Sequence, residues 1–498
     1  MKTKRKLMCM LIIMSIMVSL VVGCAKQGKK ATESPSGLKK VPITIYVAGD
    51  RPKQQDEVLR NIEDKTKDEL NISLTVNYIP WSDYANQVKL KASAGQNFDI
   101  YLSFFGDLSG NIARKQCMDI TSLVDKYGPD LKKQIPQDLW DTLTIDGKIY
   151  GVPAVYPMTE MGRGFLDRKD LRLKYNLPEI TDQASLEKYL DTIAKNEKGM
   201  IPFLGDGLNV ILADKSHLGH VEYQFNGMYI DVDKQPYKVE NWYKTDVFKT
   251  VWEEDKKAMQ RGWFEKDILT DTDRDGKFIQ GKAAAMAGDL FNITDRQNAL
   301  AKNVPGGEIE LSIINKDGRW VNTQPVNNYA QISSTSKNPE RAIMFLNWLR
   351  KNPDNYNMYM LGIPGKTYNL KGDEAEVPAG TNPTDRFAPT PWFTMHTPYL
   401  KTWTTDPQSF KDALKFWNNL KPEASPLMKF SYSNTNVVAE STAAAKVMTE
   451  EGRPISCGLV TSDAAYQKFL SDLDKAGMPK IIEDTQKQLD NFMAKQGK

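Results

Sequence analysis

The chain has 498 residues, of which 40% are hydrophobic, 10% aromatic and 26% charged. This is the composition of a soluble globular protein, and the length makes two domains the expectation. The net charge of +3 is misleading, because Lys2, Lys4, Arg5 and Lys6 lie in an N-terminal segment without acidic residues. The rest of the chain has 62 basic and 63 acidic residues. Phosphate binding needs a surplus of basic side chains, so this balance argues against nucleic acid as a partner.

The N-terminus has the pattern of a signal peptide. An apolar run from Leu7 to Val22 follows the basic residues, and it is shorter than the roughly 20 residues that a membrane span needs. The run ends in Val-Val-Gly-Cys, which resembles a bacterial lipoprotein box. We predict a lipoprotein signal peptide over residues 1–23, lipidation of Cys24, and a flexible tether over residues 24–40. The alternative interpretation is a single transmembrane anchor.

Four cysteines reduce to two in the predicted mature chain. Cys9 is removed with the signal peptide and Cys24 carries the lipid. Cys117 and Cys457 remain, and their spacing does not indicate whether they pair.

After the tether, strand and helix patterns alternate. Alternating apolar residues predict strands over residues 41–47 and 72–79, and a third strand is predicted over residues 98–102. Apolar residues at helical spacing predict helices over residues 54–70 and 81–94. This succession predicts a parallel α/β sheet with covered faces, on which ligands collect beyond the carboxyl ends of the strands.

The segment DGKIYGVPAVYP interrupts this pattern. Asp146-Gly147 favours a tight hairpin turn between two short runs of strand-forming residues. Pro153 then ends the strand, because proline has no N–H to donate, and Pro157 repeats the stop. We interpret this segment as the first crossing between two lobes.

The remainder of the chain is predicted to be mixed α/β and then mainly helical. Helices are predicted over residues 186–194, 247–259, 339–349, 436–448, 462–476 and 481–493. Residues 309–314 have strand character, and residues 321–330 are interpreted as the return across the hinge.

Two patterns suggest metal sites and both are incomplete. Residues 271–276, DTDRDG, match the first half of an EF-hand calcium loop, but Lys282 stands at the twelfth position, where a bidentate Glu is needed. We therefore favour an Asp-rich loop that precedes a helix. His217 and His220 are spaced to share a helix face, but a third ligand is not obvious. No metal is predicted.

Several phrases together resemble a known family. FDIYLS, DGKIYGVP, FIQGKAAAM and ERAIMFLNWL occur in the order found in family 1 extracellular solute-binding proteins, the substrate-capturing subunits of ABC importers. GIPGKTY (Gly362 to Tyr368) and AGMPKIIEDTQKQLDNF (Ala476 to Phe492) are similar to the uncharacterised C-terminal domain of a lipoprotein subset of that family. Together they cover most of the predicted mature chain.

The resemblance implies a type II periplasmic-binding-protein-like fold, in which each lobe is a mainly parallel sheet flanked by helices. By analogy the first lobe takes residues 41–155 and 322–360, and the second takes residues 156–321 and 361–498. The implied protein is a lipid-anchored monomer that binds a solute and delivers it to ABC permease subunits. An oligosaccharide is the family-level expectation, with a peptide or another polar solute as the alternative. No cofactor and no catalytic residue are implied, and a Gram-positive cell surface is favoured over a periplasm.

A sugar offers apolar C–H faces and hydroxyl groups, so its site needs aromatic rings and polar side chains. Candidates lie on loops after strands or near the hinge: Phe104, Phe105, Asp107, Tyr156, Glu160, Asp289, Phe291, Asn292, Asn327, Asn328, Tyr329 and Trp392. The alternative for each is ordinary core packing or a solvated loop.

Two other functions stay open at this stage. A secreted lipoprotein glycosidase would use paired carboxylates, which sequence alone does not exclude, whereas a nucleophile elbow, a metal triad and a Ser-His-Asp set are not found. An adhesin or surface scaffold would bind no small molecule.

Overall fold

The computed structural model describes residues 37–156, 164–205, 227–287, 293–322, 326–427, 430 and 432–495. The strands are β1 (Val41–Ala48), β2 (Ile72–Ile79), β3 (Ile100–Phe104), β4 (Thr144–Ile145), β5 (Lys148–Ile149), β6 (Val152–Pro153), β7 (Gly164–Arg168), β8 (Met228–Ile230), β9 (Val239–Asn241), β10 (Ala285–Met286), β11 (Ile309–Ile313), β12 (Val321–Asn322), β13 (Asn328–Ile332), β14 (Asn369–Lys371), β15 (Glu374–Glu376) and β16 (Glu423–Ala424).

The helices are α1 (Gln55–Lys65), α2 (Trp81–Ser93), α3 (Leu108–Ala113), α4 (Thr121–Tyr127), α5 (Pro129–Gln134), α6 (Gln137–Thr142), α7 (Lys169–Lys174), α8 (Gln183–Asn196), α9 (Asp246–Gln260), α10 (Arg274–Ile279), α11 (Ile293–Asn303), α12 (Pro339–Lys351), α13 (Pro353–Met360), α14 (Gln408–Asn419), α15 (Val438–Val447), α16 (Arg453–Ser456), α17 (Asp463–Lys475) and α18 (Met478–Lys495). Within the described ranges, the helices are too short or too polar to cross a bilayer.

The first lobe is built on a five-stranded sheet of order β2-β1-β3-β13-β6. β1 pairs in parallel with β2 and β3, and β13 runs antiparallel between β3 and β6. Alternating residues of β1, Ile43, Ile45 and Val47, are fully buried, as the sequence pattern predicts. Phe387 and Phe393 pack into this same core, although the family resemblance implies that they belong to the second lobe.

The predicted hairpin is confirmed. Asp146 and Gly147 both have positive φ, 51° and 75°, which matches the tight turn expected for Asp-Gly between β4 and β5. The chain then forms β6, which ends at Pro153 and pairs with β13 at the edge of the first-lobe sheet. The crossing segment is therefore attached to the first lobe by its last strand.

The second lobe contains a sheet of order β10-β7-β11. β7 is antiparallel to both neighbours, whereas Ile201 and Leu204 form parallel bridges with Ala283 and Met286. β10, β11 and the segment 201–204 therefore share one direction, and β7 alone runs against them. The expected two-lobed α/β fold is confirmed, and the first-lobe sheet is mainly parallel as predicted. The prediction of a mainly parallel sheet is wrong for the second lobe, because β7 lies between β10 and β11 and runs against both.

The C-terminal helices form their own core on the second lobe. α15, α17 and α18 share one hydrophobic core with residues 228–252. Within it, α17 makes aromatic contacts, Trp252 with Tyr466 at 4.7 Å and Tyr243 with Phe469 at 4.8 Å between ring centroids. Residues 228–252 therefore share a core with the C-terminal helices, which lie far from them in the sequence.

The two remaining cysteines do not pair. Cys117 is buried in the first-lobe core and Cys457 in a core of the second lobe, and neither takes part in a disulfide. Burial raises the pKa of the Cys117 thiol to about 12, so it stays protonated. Cys9 and Cys24 lie outside the described residues.

Candidate ligand-binding cleft

The carboxyl ends of the first-lobe strands meet at one edge of the sheet. β1 ends at Ala48, β3 ends at Phe104 and β6 ends at Pro153. β13 is antiparallel, so its first residue, Asn328, pairs with Phe104 at the same edge. This edge is where ligands of open α/β sheets are expected to bind.

A cavity of about 390 Å³ opens at this edge and is lined by both lobes. The first lobe contributes Gly49, Asp50 and Trp81, the second lobe contributes Asp275, Thr294 and Asp295, and the segment 386–406 closes one side. The volume falls within the range of about 300–1,000 Å³ that is typical of small-molecule sites. The space is therefore suited to a ligand held between lobes.

Aromatic rings supply the apolar part of the cavity. Trp81 is 52% exposed at the start of α2, with its ring 6.3 Å from the ring of Phe104. Trp392 is half-buried, and its ring meets that of Tyr156 edge-on at 5.9 Å. Trp403 carries the guanidinium of Arg386 over its face at 4.8 Å. Trp403 is thus covered, whereas Trp81 and Trp392 offer ring faces of the kind that stack on the C–H surfaces of sugar rings.

Tyr156 supports Trp392 from behind. It is buried, and its hydroxyl donates to Asn328 Oδ1, which also accepts a 3.2 Å hydrogen bond from Asn327 Nδ2. The neighbouring residue, Val155, donates its backbone N–H to the Met395 carbonyl oxygen at 2.7 Å. The crossing strand and the Trp392 segment are thus hydrogen-bonded together.

A fully buried arginine fixes the same segment. Arg350 of α12 donates to Thr394 Oγ1 at 2.8 Å and to the Met395 carbonyl oxygen at 3.2 Å, and burial lowers its pKa to about 10. His396 is buried beside it, 4.5 Å from the Tyr399 ring, and its two ring nitrogens have no hydrogen-bond partner among the described residues. Burial and the nearby Arg350 charge lower the pKa of His396 to about 3, so the ring is neutral.

The polar part of the cavity is mainly acidic. Asp275 pairs with Arg296 at 3.0 Å, and Asp295 accepts a 2.7 Å hydrogen bond from Arg386 Nε. The buried Asp406 carboxylate accepts the backbone N–H of Trp403 at 2.7 Å, and burial raises its pKa to about 6.

The structure brings some of the predicted site residues together. Phe104, Tyr156, Asn327, Asn328 and Trp392 lie at the cleft edge, with Trp392 lining the cavity itself.

Other predicted residues lie elsewhere. Tyr329 is fully buried in the first-lobe core, where its hydroxyl donates to the Phe104 carbonyl oxygen at 3.0 Å, because β13 is an inner strand of the sheet and this side chain packs into the core on the sheet face. Asp107 is exposed on the turn after β3 and does not line the cavity. Glu160, Asp289, Phe291 and Asn292 lie outside the described residues, as does the side chain of Phe105.

Sequence reasoning missed most of the cavity residues, among them Trp81, Arg386, Trp403 and Asp406. Trp81 carried a usable signal, since it follows Pro80 directly after β2 and so stands at the carboxyl edge of the sheet. The other three come from an irregular segment that has no periodic pattern.

A lysine directly after the DTDRDG sequence pairs with its first aspartate. The ammonium of Lys277 lies 3.0 Å from Asp271 Oδ1 and also pairs with Glu265. Across the described ranges, the acidic, histidine and cysteine side chains form no group arranged to hold a metal ion. His217 and His220 lie outside those ranges.

Comparison with known families agrees with this geometry. Residues 61–367, more than half of the chain, match the family described as bacterial extracellular solute-binding protein. The chain belongs to this family. Residues 426–494 of this solute-binding protein match a domain of unknown function (DUF3502), which coincides with the C-terminal helical core.

Relatives of this solute-binding protein span nearly its whole length. It is 27% identical over 493 residues to a carbohydrate ABC transporter substrate-binding protein of Streptococcus pneumoniae serotype 4, covering 96% of each chain. It is 22% identical to the polygalacturonan/rhamnogalacturonan-binding protein YtcQ of Bacillus subtilis, covering 95% of this chain and 94% of the relative.

Solved structures show the same fold. The N-glycan transport solute-binding protein NgtS of Streptococcus pneumoniae superposes with a TM-score of 0.74 at 24% identity, covering 91% of this chain and 99% of the other. The alginate-binding protein AlgQ2 superposes with a TM-score of 0.61 at 18% identity, covering 92% and 99%. The expected family and the two-lobed fold are confirmed.

Proposed function

We propose that this solute-binding protein is the capture subunit of an ABC importer, and that it encloses an oligosaccharide between its lobes without altering it chemically. The observation that carries the proposal is the interlobe cavity, where the exposed Trp81 and the half-buried Trp392 stand beside hydrogen-bonding carboxylates. The relatives support this substrate class, since they are described as a carbohydrate ABC transporter substrate-binding protein, an N-glycan transport solute-binding protein and a polygalacturonan/rhamnogalacturonan-binding protein. The delivered ligand would then pass to separate permease subunits.

The lobes would close by a hinge movement around the crossing segments. The proposed first lobe takes residues 41–155 and 322–360, and the second takes residues 156–321 and 361–498. The packing of Phe387 and Phe393 in the first-lobe core favours moving residues 386–397 to the first lobe. Trp392 would then travel with the first lobe toward Asp275 and Asp295.

The protein would act outside the cell as a monomer, held to the membrane by a lipid on Cys24. The apolar run and the Val-Val-Gly-Cys sequence support this anchor. Replacement of Cys24 by Ser should move the protein from the membrane fraction to the medium of the expressing bacterium. A variant that stays in the membrane fraction would contradict the anchor and leave the binding function untouched.

Binding without turnover is the test of function. The protein, incubated with a panel of oligosaccharides, should gain melting temperature with at least one, since a ligand at 100 times its Kd stabilises the folded state by about 2.7 kcal/mol. Chromatography of the same mixtures should show no new products. Stabilisation accompanied by product release would indicate a glycosidase, and no stabilisation by any oligosaccharide would contradict the proposal.

Trp81 provides the matched mutational test. Replacing Trp81 by Ala should weaken binding of the stabilising oligosaccharide by at least about tenfold, because a stacking face is lost. Leu90, on the same helix and 68% exposed, serves as the control because it does not line the cavity. Isothermal calorimetry on both variants compares them, and equal affinities would remove Trp81 from the site.

A further inference from the structure

The cavity carries more acid than base. Its charged lining residues are Asp50, Asp275, Asp295, Asp406, Arg386 and Lys401. A carboxylate-bearing ligand needs a cation to meet it, and the best is an arginine whose guanidinium can bind both carboxylate oxygens. A carboxylate-bearing ligand would therefore have to pair with Arg386 or Lys401.

Both basic side chains already have partners. Arg386 donates from Nε to Asp295 at 2.7 Å, its guanidinium lies over the Trp403 ring, and its side chain is 8% exposed. The Lys401 ammonium donates to the Asp373 carbonyl oxygen at 3.3 Å. A ligand carboxylate that enters would compete with Asp295 for Arg386 and would face the remaining acids.

Asp406 offers the opposite kind of contact. It is only 7% exposed, and Oδ2 accepts the Trp403 N–H, whereas Oδ1 has no hydrogen-bond partner among the described residues. A buried acceptor without a partner destabilises the protein until a donor reaches it. Because Asp406 lines the cavity, a hydroxyl or amide N–H of a ligand is the donor that this position fits.

We propose that the cleft selects an uncharged oligosaccharide over one built from uronates, and that Asp406 sets this preference by accepting a hydrogen bond from the ligand. A hydroxyl group satisfies the free oxygen of Asp406, whereas a uronate carboxylate has no proton to give and adds a like charge beside it. This inference rests on the proposed function. It separates this protein's expected ligand from polygalacturonan and alginate, the acidic polymers named for two of the similar proteins.

Matched trisaccharides test the preference. We would compare mannotriose with trimannuronate, galactotriose with trigalacturonate and glucotriose with triglucuronate. In each pair the neutral sugar carries a CH₂OH group at the ring position where the uronate carries a carboxylate. Calorimetry should give at least one neutral trisaccharide that binds about 100-fold or more tightly than its uronate partner, because the uronate places a like charge beside the Asp406 carboxylate, which is shielded from solvent. A uronate that binds as tightly as its neutral partner, or more tightly, would overturn the inference.

The variant Asp406→Asn tests the residue. It should narrow the neutral-to-uronate affinity ratio by about tenfold, since the like charge is removed. Asp412→Asn is the control, because it makes the same charge change on α14 outside this cavity. If the two variants give the same ratio, Asp406 is not the selecting residue.

Salt dependence gives a readout on the unmodified protein, should Asp406→Asn fail to fold. Salt screens charge interactions, so raising the ionic strength should improve uronate binding relative to neutral binding if the cleft repels the uronate. Uronate binding that weakens in salt would indicate a pairing cation and overturn the inference. If trisaccharides and longer glycans all leave the melting temperature unchanged, the proposed function fails as well, which separates the two failures.

Discussion

The two walls of the cleft are built in different ways. The wall that carries Trp392 presents a large ring whose position is fixed from behind by buried groups, Tyr156 and Arg350. The opposite wall presents Asp275 and Asp295 on α10 and α11, with side chains 64% and 46% exposed. Exposed ion pairs contribute little to stability, whereas a buried hydrogen-bonded group is costly to lose. The first wall therefore depends on a few buried atoms, and the second supplies charge that solvent screens.

The largest effect is expected at Arg350. Replacing Arg350 by Ala leaves Thr394 Oγ1 and the Met395 carbonyl oxygen without their buried donor and opens a cavity in the core. We expect the free energy of unfolding to fall by about 3 kcal/mol. Urea unfolding measures it, with the exposed Arg51→Ala as a control that should change little.

A loss below about 0.5 kcal/mol at Arg350 would mean that the Trp392 segment is held by other contacts. Arg350→Met separates charge from volume, because it fills most of the space without donating a hydrogen bond. Recovery of stability in this variant without recovery of ligand affinity would identify Arg350 as a positioning residue for the aromatic wall.

The next effect concerns the same wall and depends on pH. The pKa of His396 is about 3 in the folded protein and 6.5 in its ordinary state, so the unfolded chain takes up the proton first. The neutral His396 ring therefore contributes its full share to the free energy of unfolding above pH 6.5, and this contribution is lost as the pH falls toward 3. At pH 5 the loss is about 2 kcal/mol.

Comparison with His396→Leu isolates this contribution. Asp406 acts in the opposite direction, because its pKa is raised to about 6 and the folded protein gains stability as that carboxyl is protonated. The difference between the two proteins cancels Asp406 and other shared groups. Thermal unfolding at pH 7 and pH 5 should show a smaller loss in His396→Leu, and an equal loss would show that His396 is not buried as described.

The sequence predicted the scaffold of the cleft better than its lining. β2 and the Asp146-Gly147 turn follow from alternation and turn chemistry within a few residues, so their signals are local. Asp295 and Arg386 meet across 91 positions of sequence, and Arg386 comes from a segment without periodicity, so nothing local indicates their contact. The Tyr329 prediction placed an aromatic residue of the right region in the ligand site, but a central strand buries its side chain.

The smallest expected effect belongs to the acidic wall. Asp275 is the fifth residue of the DTDRDG sequence and stands on α10, and the ammonium of Lys277 pairs with Asp271 of that sequence and with Glu265. A cation is thus already present where calcium would need oxygen ligands free of competing positive charge. Addition of calcium, or its removal by a chelator, should therefore leave the melting temperature unchanged.

Replacing Lys277 by Met should lower the free energy of unfolding by about 1 kcal/mol, since two carboxylates lose their partner. It should also create a calcium-dependent rise in melting temperature, because those carboxylates become free to bind the ion. A rise in the melting temperature of the unmodified protein on addition of calcium would mean that the ion displaces Lys277. The charge of the acidic wall would then depend on bound calcium as well as on screening by solvent.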